Sequence, residues 1–477
     1  MRRQPQMATD PLVGSEWPDP LVSLRALPDF GLEGLAATAS FAASAAQDAP
    51  VQDGTEPDDL ARVTCSRVNT HVHLPPNFSA FETVDKAVDL AADAGLKVLG
   101  SSNYYDFSVY ARFAASARAR GVFPLFGLEI ISLVEDLKVA GIKVNDPDNP
   151  GRMYLCGKGI TRFTPMATEA EPLMQRIRDA DSARIDLMIE RVGALMHETG
   201  AGTDVTAVSV RAALARRYAV PAHTVYLQER HVAQAFQEAL FARVEVTGRA
   251  GVLRRLLGVE CAAPDDPVSV QNQVRSQLMK AGKPAYVEES VLDADMAYEL
   301  VLALGGVPCY PILADGASPV CQFEESVDDL VDALIARGIW CAEVIPSRNA
   351  ANTVDRYTTV LRGAGIVVLG GTEHNTLDLA PITPECKGRV PVSEHVAELF
   401  WEGACVVAAH QYLSARGHVG YVDATGSLNP GFATHEQRIS GLARLGAKVI
   451  EMATRPGKDA ADTVESTNTR PTGTAQP

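Results

Sequence analysis

Basic residues are in deficit. The 477-residue chain carries 43 Lys and Arg against 59 Asp and Glu, a formal net charge of −16. A chain this acidic has no bulk attraction for a phosphate backbone or an anionic membrane, so a nucleic-acid or membrane partner is not expected. A local basic pocket for one small anion is compatible with it. Long apolar runs are missing too. No stretch reaches the roughly 18 consecutive apolar residues of a membrane span. The opening MRRQPQMATDP leads into Pro and acidic residues rather than a signal-peptide core, so a cytoplasmic location is the expectation. Aromatics are scarce, at 6%. The eight cysteines form no CxxC pair, and most sit in apolar runs such as VPCYP and GIWCAEVI. That reads as buried free thiols in a reducing compartment rather than disulfides or a structural zinc. No GxGxxG opens a strand–helix unit and no GxxxxGK[ST] occurs, which leaves nucleotide-binding folds little support.

What is present is an alternating pattern. Hydrophobic residues make up 46% of the chain, with 37 glycines, ample for a core of small residues packed on a sheet. Short Val-, Ile- and Leu-rich runs recur, each followed by a helix-like segment that closes on Gly. RVNTHVHL, LKVLGSS and VFPLFGLEIISL read as the first strands. Later units pair LVLALGG with VPCYPIL, VDDLVDALIARG with IWCAEVI, and VDRYTTVLRGAG with IVVLGGTEH. Helices that end on Gly and run straight into a buried strand predict repeated βα units. An α/β fold of barrel type, complete or distorted, fits better than an open doubly wound sheet. Residues 161–281 are almost wholly helical in pattern and read as an insertion between barrel strands. Residues 1–60 read as a partly flexible extension, with an Ala-rich arm that suggests exchange between subunits in a homodimer. Residues 455–477 are polar and turn-rich, and are expected to be disordered. The barrel domain is then 61–450.

Three strand ends carry the chemistry. The first finishes on His71 and His73, and residues i and i+2 of a strand point the same way, so both imidazoles can face one divalent cation at a barrel mouth. Alone, His-x-His is also compatible with two unrelated polar side chains. Glu129 closes FPLFGLEI and Glu373 closes IVVLGGTE, strands too apolar to hold a carboxylate without a charged partner. Two imidazoles and two carboxylates suit zinc or manganese, with iron as a further candidate; capping of loops or pairing with Arg or Lys is the alternative for the glutamates. One such ion lowers the pKa of water and polarises a substrate oxygen. The proton shuttle is sought among His374, His231, His410 and Tyr104, and the cation for a small anionic substrate among Lys158, Arg162, Arg348, Lys143 and Arg152.

In these motifs the chain resembles the PHP superfamily, named for polymerase and histidinol phosphatase domains and related in architecture to amidohydrolases. The resemblance covers roughly residues 64–410. It implies a distorted (β/α)7 TIM-like barrel with a helical insertion and a metal-dependent phosphoesterase ancestry. His71 and His73 match the family's opening His-x-His strand, and GLEI places Glu129 on its bridging glutamate. Asn103 and Tyr104 stand where the family has Asp and His. Met153 and Tyr154 stand in place of a strand His, and Tyr310 of GGVPCYP stands on another. QERHVAQAF puts His231 on a histidine of the family's helical insertion. In GGTEHN, Glu373 stands on the terminal Asp, His374 is one place early, and Asn375 takes the His position. The retained positions are those around one metal; the altered ones would have held more. The resemblance therefore implies a single-metal hydrolase of a phosphoester, lactone or amide. In it Glu129 or Glu373 orients the water, and His231 or a tyrosine moves the proton. A metal-dependent lyase or isomerase for a sugar acid, with a Tyr or His moving the proton, is the second reading. A non-catalytic regulatory protein on a degenerate barrel is the third.

Overall fold

The computed structural model describes residues 19–29 and 65–455. Strands β1 (Val68–Val72), β2 (Val98–Ser101) and β3 (Phe123–Leu125) form a three-stranded parallel sheet. A six-stranded sheet holds β4 (Gly127–Leu133), β5 (Arg152–Lys158), β6 (Leu292–Asp293), β7 (Val307–Ile312), β8 (Cys341–Val344) and β9 (Val367–Gly370), in the order β6-β4-β5-β7-β8-β9. The fold is α/β with mixed strand directions. Its ladders do not run as one continuous closed barrel; parallel single bridges, Val72 to Glu373 and Tyr104 to Glu129, join the two sheets at their two junctions.

The repeating units form for local reasons that the sequence carries. Thr83 caps the helix Val84–Asp93 by accepting from Lys86 N, and Ser326 caps Val327–Ala336 by accepting from Asp329 N. Each such cap satisfies a backbone donor that the helix itself leaves open. Gly338 and Gly365 then take left-handed φ of +67° and +83°, which turns the chain from helix into β8 and β9 at no side-chain cost.

Two details depart from a uniform βα series. VFPLFGLEIISL is not one strand: it breaks at Phe126 into β3 and β4, which belong to different sheets. The break lies where backbones crowd, since a Cβ on Gly127 would lie 2.6 Å from the Ser101 carbonyl and 2.7 Å from that of Gly157. Strand β5 runs antiparallel to both β4 and β7, returning from β4 through the short helix Glu135–Val139 instead of a full crossover.

Residues 161–281 contain the helices Glu171–Glu198, Ala207–Tyr218, Glu229–Arg243, Val246–Leu257 and Pro267–Val274. They bury an apolar cluster of their own around Met188, Val192, Phe236 and Leu253. The long first helix serves both units: Met174 and Ile177 pack in the main core, and its residues from Ile185 onward pack in the second. Of the proposed 1–60 extension, residues 19–29 dock on the main core through buried Leu21 and Leu24, and Tyr412 Oη donates to Pro28 O at 2.6 Å. The remainder of that extension, its Ala-rich arm included, and the tail beyond Arg455 lie outside the described residues. All eight cysteines are free thiols, Cys65 exposed and the others buried. Among the described residues no helix is long and apolar enough to cross a membrane.

His410, on the buried helix Glu394–Ser414, is held neutral by its partners. Tyr421 N donates to Nδ1 at 3.1 Å, and Nε2 donates to Gly305 O at 3.0 Å. Burial pushes its pKa down to about 4, with the Gly305 bond opposing. A depressed folded pKa stabilises the fold above the ordinary histidine value and loses that contribution as pH falls through the folded one. Between about pH 6.5 and 4, His410 is therefore expected to withdraw on the order of 3 kcal/mol. Urea unfolding of the protein and of His410→Gln across that range checks this. The wild-type slope should be the steeper, and parallel curves would refute the assignment.

Candidate metal centre

Strand β1 is buried along its whole length, and its end presents His71 and His73 inward. Gly371, just past β9, gives His71 its space, because a Cβ there would strike the His71 Cβ. Glu129 comes from β4 and reaches the same point. His73 Nε2 lies 3.1 Å from Glu129 Oε2, His71 Nε2 lies 3.7 Å from it, and the two Nε2 atoms are 3.4 Å apart. These three buried ligand atoms all fall within the span of one coordination sphere.

The donors fit a divalent cation on grounds beyond proximity. Glu129 Oε2 is buried, and among the described residues its polar company is the two imidazole Nε2 atoms, a set of donors that a cation can share. Burial pushes the Glu129 carboxyl up, but the two imidazoles beside it outweigh burial and hold it well below the usual carboxylate range. His71 is oriented from behind. Its Nδ1 lies 2.6 Å from Glu343 Oε2, which directs Nε2 at the ligand point, the arrangement that carboxylates impose on metal-binding histidines. His73 Nδ1 has no such partner.

Behind His71 lies a buried charge cluster. Lys158 Nζ, at the end of β5, sits 2.7 Å from Glu343 Oε2 and donates to Thr70 O and Ser102 Oγ at 3.0 Å each. Thr70 Oγ1 donates to Glu343 Oε1 at 2.7 Å. Burial works against the Glu343 anion, but Lys158 and then His71 outweigh it and bring its pKa down to about 2. Burial and the Lys158 charge lower His71, and Glu343 reverses that and raises it well above an ordinary imidazole. His71, Cys156 and Glu343 are close enough to form a second candidate metal group. The Lys158 ammonium already supplies positive charge beside that second group.

A cavity of about 1060 Å³ opens over the centre. Glu129, Tyr104, Tyr154, Arg348 and Glu373 all line it. Tyr104 stacks on His73 with ring centroids 5.1 Å apart. Burial first, and the Glu129 charge among other neighbours, push both the Tyr104 and Tyr154 phenols well above their ordinary pKa, so they stay protonated donors. Glu373 stands apart from the three-atom group. Its carboxylate pairs with Arg348 and accepts from Asn375 Nδ2 at 2.8 Å. Both Glu373 and His374 occupy left-handed backbone, φ +64° and +54°, strain of a kind that collects at functional sites.

Of the remaining residues singled out from sequence, Arg152 also lines the cavity, and several others lie elsewhere. Lys158 is buried against Glu343 and does not line the cavity. His374 stacks on Phe81 and spends its two ring nitrogens on Thr372 Oγ1 and Ala380 O. His231 belongs to the capping box of the helix Glu229–Arg243, its Nδ1 accepting from Gln228 N at 3.0 Å, and burial drives its pKa down to about 3. Tyr310 donates to Glu324 at 2.8 Å. Neither histidine nor Tyr310 lines the cavity. The sequence reading missed Glu343, although it is a carboxylate in the apolar run IWCAEVI and satisfies the same criterion that singled out Glu129.

No known family model matches the sequence, and no curated protein matches it. Among solved structures the chain is similar to a protein of Bifidobacterium adolescentis named as a metal-dependent phosphoesterase, at 16% identity and TM-score 0.46, over 71% of this chain and 95% of that one. It is also similar to an amidohydrolase of Chromobacterium violaceum, at 16% identity and TM-score 0.45, over 70% of this chain and 96% of that one. Likeness at this level fixes neither fold nor activity.

Proposed function

We propose that the protein is a metal-dependent hydrolase of a small anionic molecule, built as a divergent PHP-type barrel around one divalent ion, with zinc or manganese preferred. The observation that carries this reading is the meeting of His71 Nε2, His73 Nε2 and Glu129 Oε2 beside a cavity that Glu129 lines. When bound, a divalent cation supplies Lewis-acid polarisation of a substrate oxygen and acidifies water.

The chain's own residues do the rest. His71 and His73 would hold the ion, with Glu343 keeping the His71 Nδ1 proton so that Nε2 is the nitrogen that gives up its proton to a cation. Glu129 completes the donor set. Tyr104 and Tyr154, both protonated, can donate hydrogen bonds to an oxygen on which negative charge develops. Glu373 faces the cavity as a carboxylate able to take a proton, and Arg348 offsets the charge of an anionic substrate. A cavity of this volume suits a small molecule better than a polymer.

The test is a substrate screen on protein stripped by chelator and reloaded with each cation in turn. Turnover of a phosphate monoester, a lactone or an amide should vanish on stripping and return with one cation. Hydrolysis that is indifferent to chelator, or none with any cation on any of the three classes, would refute the reading.

A further inference from the structure

Five of the cations that line the cavity come from two separate parts of the chain. The insertion contributes Arg230 in the first turn of Glu229–Arg243, Arg275 at the start of the π-turn Arg275–Met279, and Lys280 just after it. The strand loops contribute Arg348 and Lys387. Glu229 takes Lys280 at 3.0 Å and Arg275 at 3.5 Å, and Glu373 takes Arg348; Glu129, Asp146, Asp148, Asp181 and Glu289 line the same cavity, as do Arg152 and Arg184. Glu229 also serves Arg184. The Glu229 pairs lie within the insertion and the Glu373 pair within the strand loops, while Glu289 links Arg184 of the insertion to Arg152 of β5. Arg230 has no carboxylate partner among the described residues; its guanidinium lies 5.8 Å from the Phe78 ring centroid. Lys387 has none either.

Like charges facing one another across a partly dry cavity destabilise the empty protein unless an anion comes between them. Burial, followed by the Arg275 charge and with Arg348 adding to it, lowers the Arg230 pKa to about 10, which reflects this crowding. A planar guanidinium without a protein acceptor is suited to binding an oxyanion through paired N–H donors. A π-turn at Arg275 also belongs to a class of helix distortion common at functional sites.

We propose that Arg230 and Arg275 of the helical insertion, together with Arg348, form a binding site for an oxyanion group, phosphoryl or carboxylate, carried by the substrate. The word substrate rests on the hydrolase reading above; the anion site itself stands on the cations alone. The insertion thereby becomes a specificity element, since it supplies two of the three guanidiniums.

Calorimetric titration of inorganic phosphate and, separately, of acetate into the full chain tests this, with bound metal measured on the same preparations. Phosphate should bind, and Arg230→Gln should weaken it about tenfold or more while leaving metal content unchanged. Arg275→Gln, at the insertion's other guanidinium, should weaken it severalfold and covers the case in which the first variant fails to fold. Tighter binding of acetate than of phosphate would identify the group as a carboxylate. Binding of neither anion by the wild type, or equal phosphate affinity in both variants and the wild type, would overturn the proposal. Arg230-dependent phosphate binding in a protein that holds no metal would keep the anion site and remove the hydrolase reading instead.

Discussion

Replacing His73 by alanine, or Glu129 by glutamine, is expected to abolish tight binding of a divalent cation. The wild type should retain about one equivalent, as a closed set of imidazole and carboxylate donors does. Loss of a direct ligand should exceed the 10–100-fold weakening typical of losing a mere orienting partner, so an effect on the order of 100-fold or more is anticipated. The stability consequence has a definite sign. A cation that binds only the folded chain stabilises it by about 4 kcal/mol at a thousandfold excess over its dissociation constant, and the variants should forfeit that increment. Without added metal, Glu129→Gln should unfold earlier than the wild type near neutral pH, because glutamine forfeits the attraction of the two imidazoles that holds the carboxyl well below its usual range. Elemental analysis and melting with and without cation measure both effects. Retention of wild-type metal content by the Glu129 and His73 variants would remove the centre.

Glu343→Ala should be the most destabilising single change near the site. It leaves the Lys158 ammonium buried with only Thr70 O and Ser102 Oγ for company, and an uncompensated buried charge costs about 3–5 kcal/mol. Replacing both members, Glu343→Met with Lys158→Met, should recover much of that loss, since apolar substitution of a whole buried pair is commonly near neutral. Metal affinity should not recover with it. His71 Nδ1 would still lack its acceptor, and about 10–100-fold weaker binding is expected. Denaturant unfolding separates the first effect and competition with a metal-sensitive dye the second. A double variant as tight for metal as the wild type would show that Glu343 only neutralises Lys158 and does not position His71.

How far the residues announced these arrangements varies with their separation along the chain. His71 and His73 are two apart in a strand, so their common direction follows from local geometry. Glu129 was recognisable because a carboxylate in an apolar strand needs a partner, yet nothing local says which partner. Glu343 meets the same criterion in IWCAEVI, and nothing local says that its partners are Lys158 and His71. Lys158, flanked by glycines, resembled a substrate cation on a turn. It is instead the last residue of β5, aimed at Glu343 on β8. Arg230 and Arg275 sit in helices whose patterns announce only an insertion, and nothing in those patterns tells that both face the cavity over β1.

The sequence by itself determined the alternation of helices and buried strands, the glycines that turn one into the other, the helical stretch between β5 and β6, and the His-x-His at the end of β1. Each depends on periodicity, capping or backbone freedom within a few residues. Tertiary structure decided that β5 runs against its neighbours, that Glu343 stands behind His71 from 272 positions away, and that Arg348 holds Glu373 apart from the three ligand atoms. It also set the insertion's arginines opposite the strand loops. Side-chain charges meet only where the closed chain brings distant segments together, and a buried charge is tolerable only beside its partner, so those pairings were settled by packing.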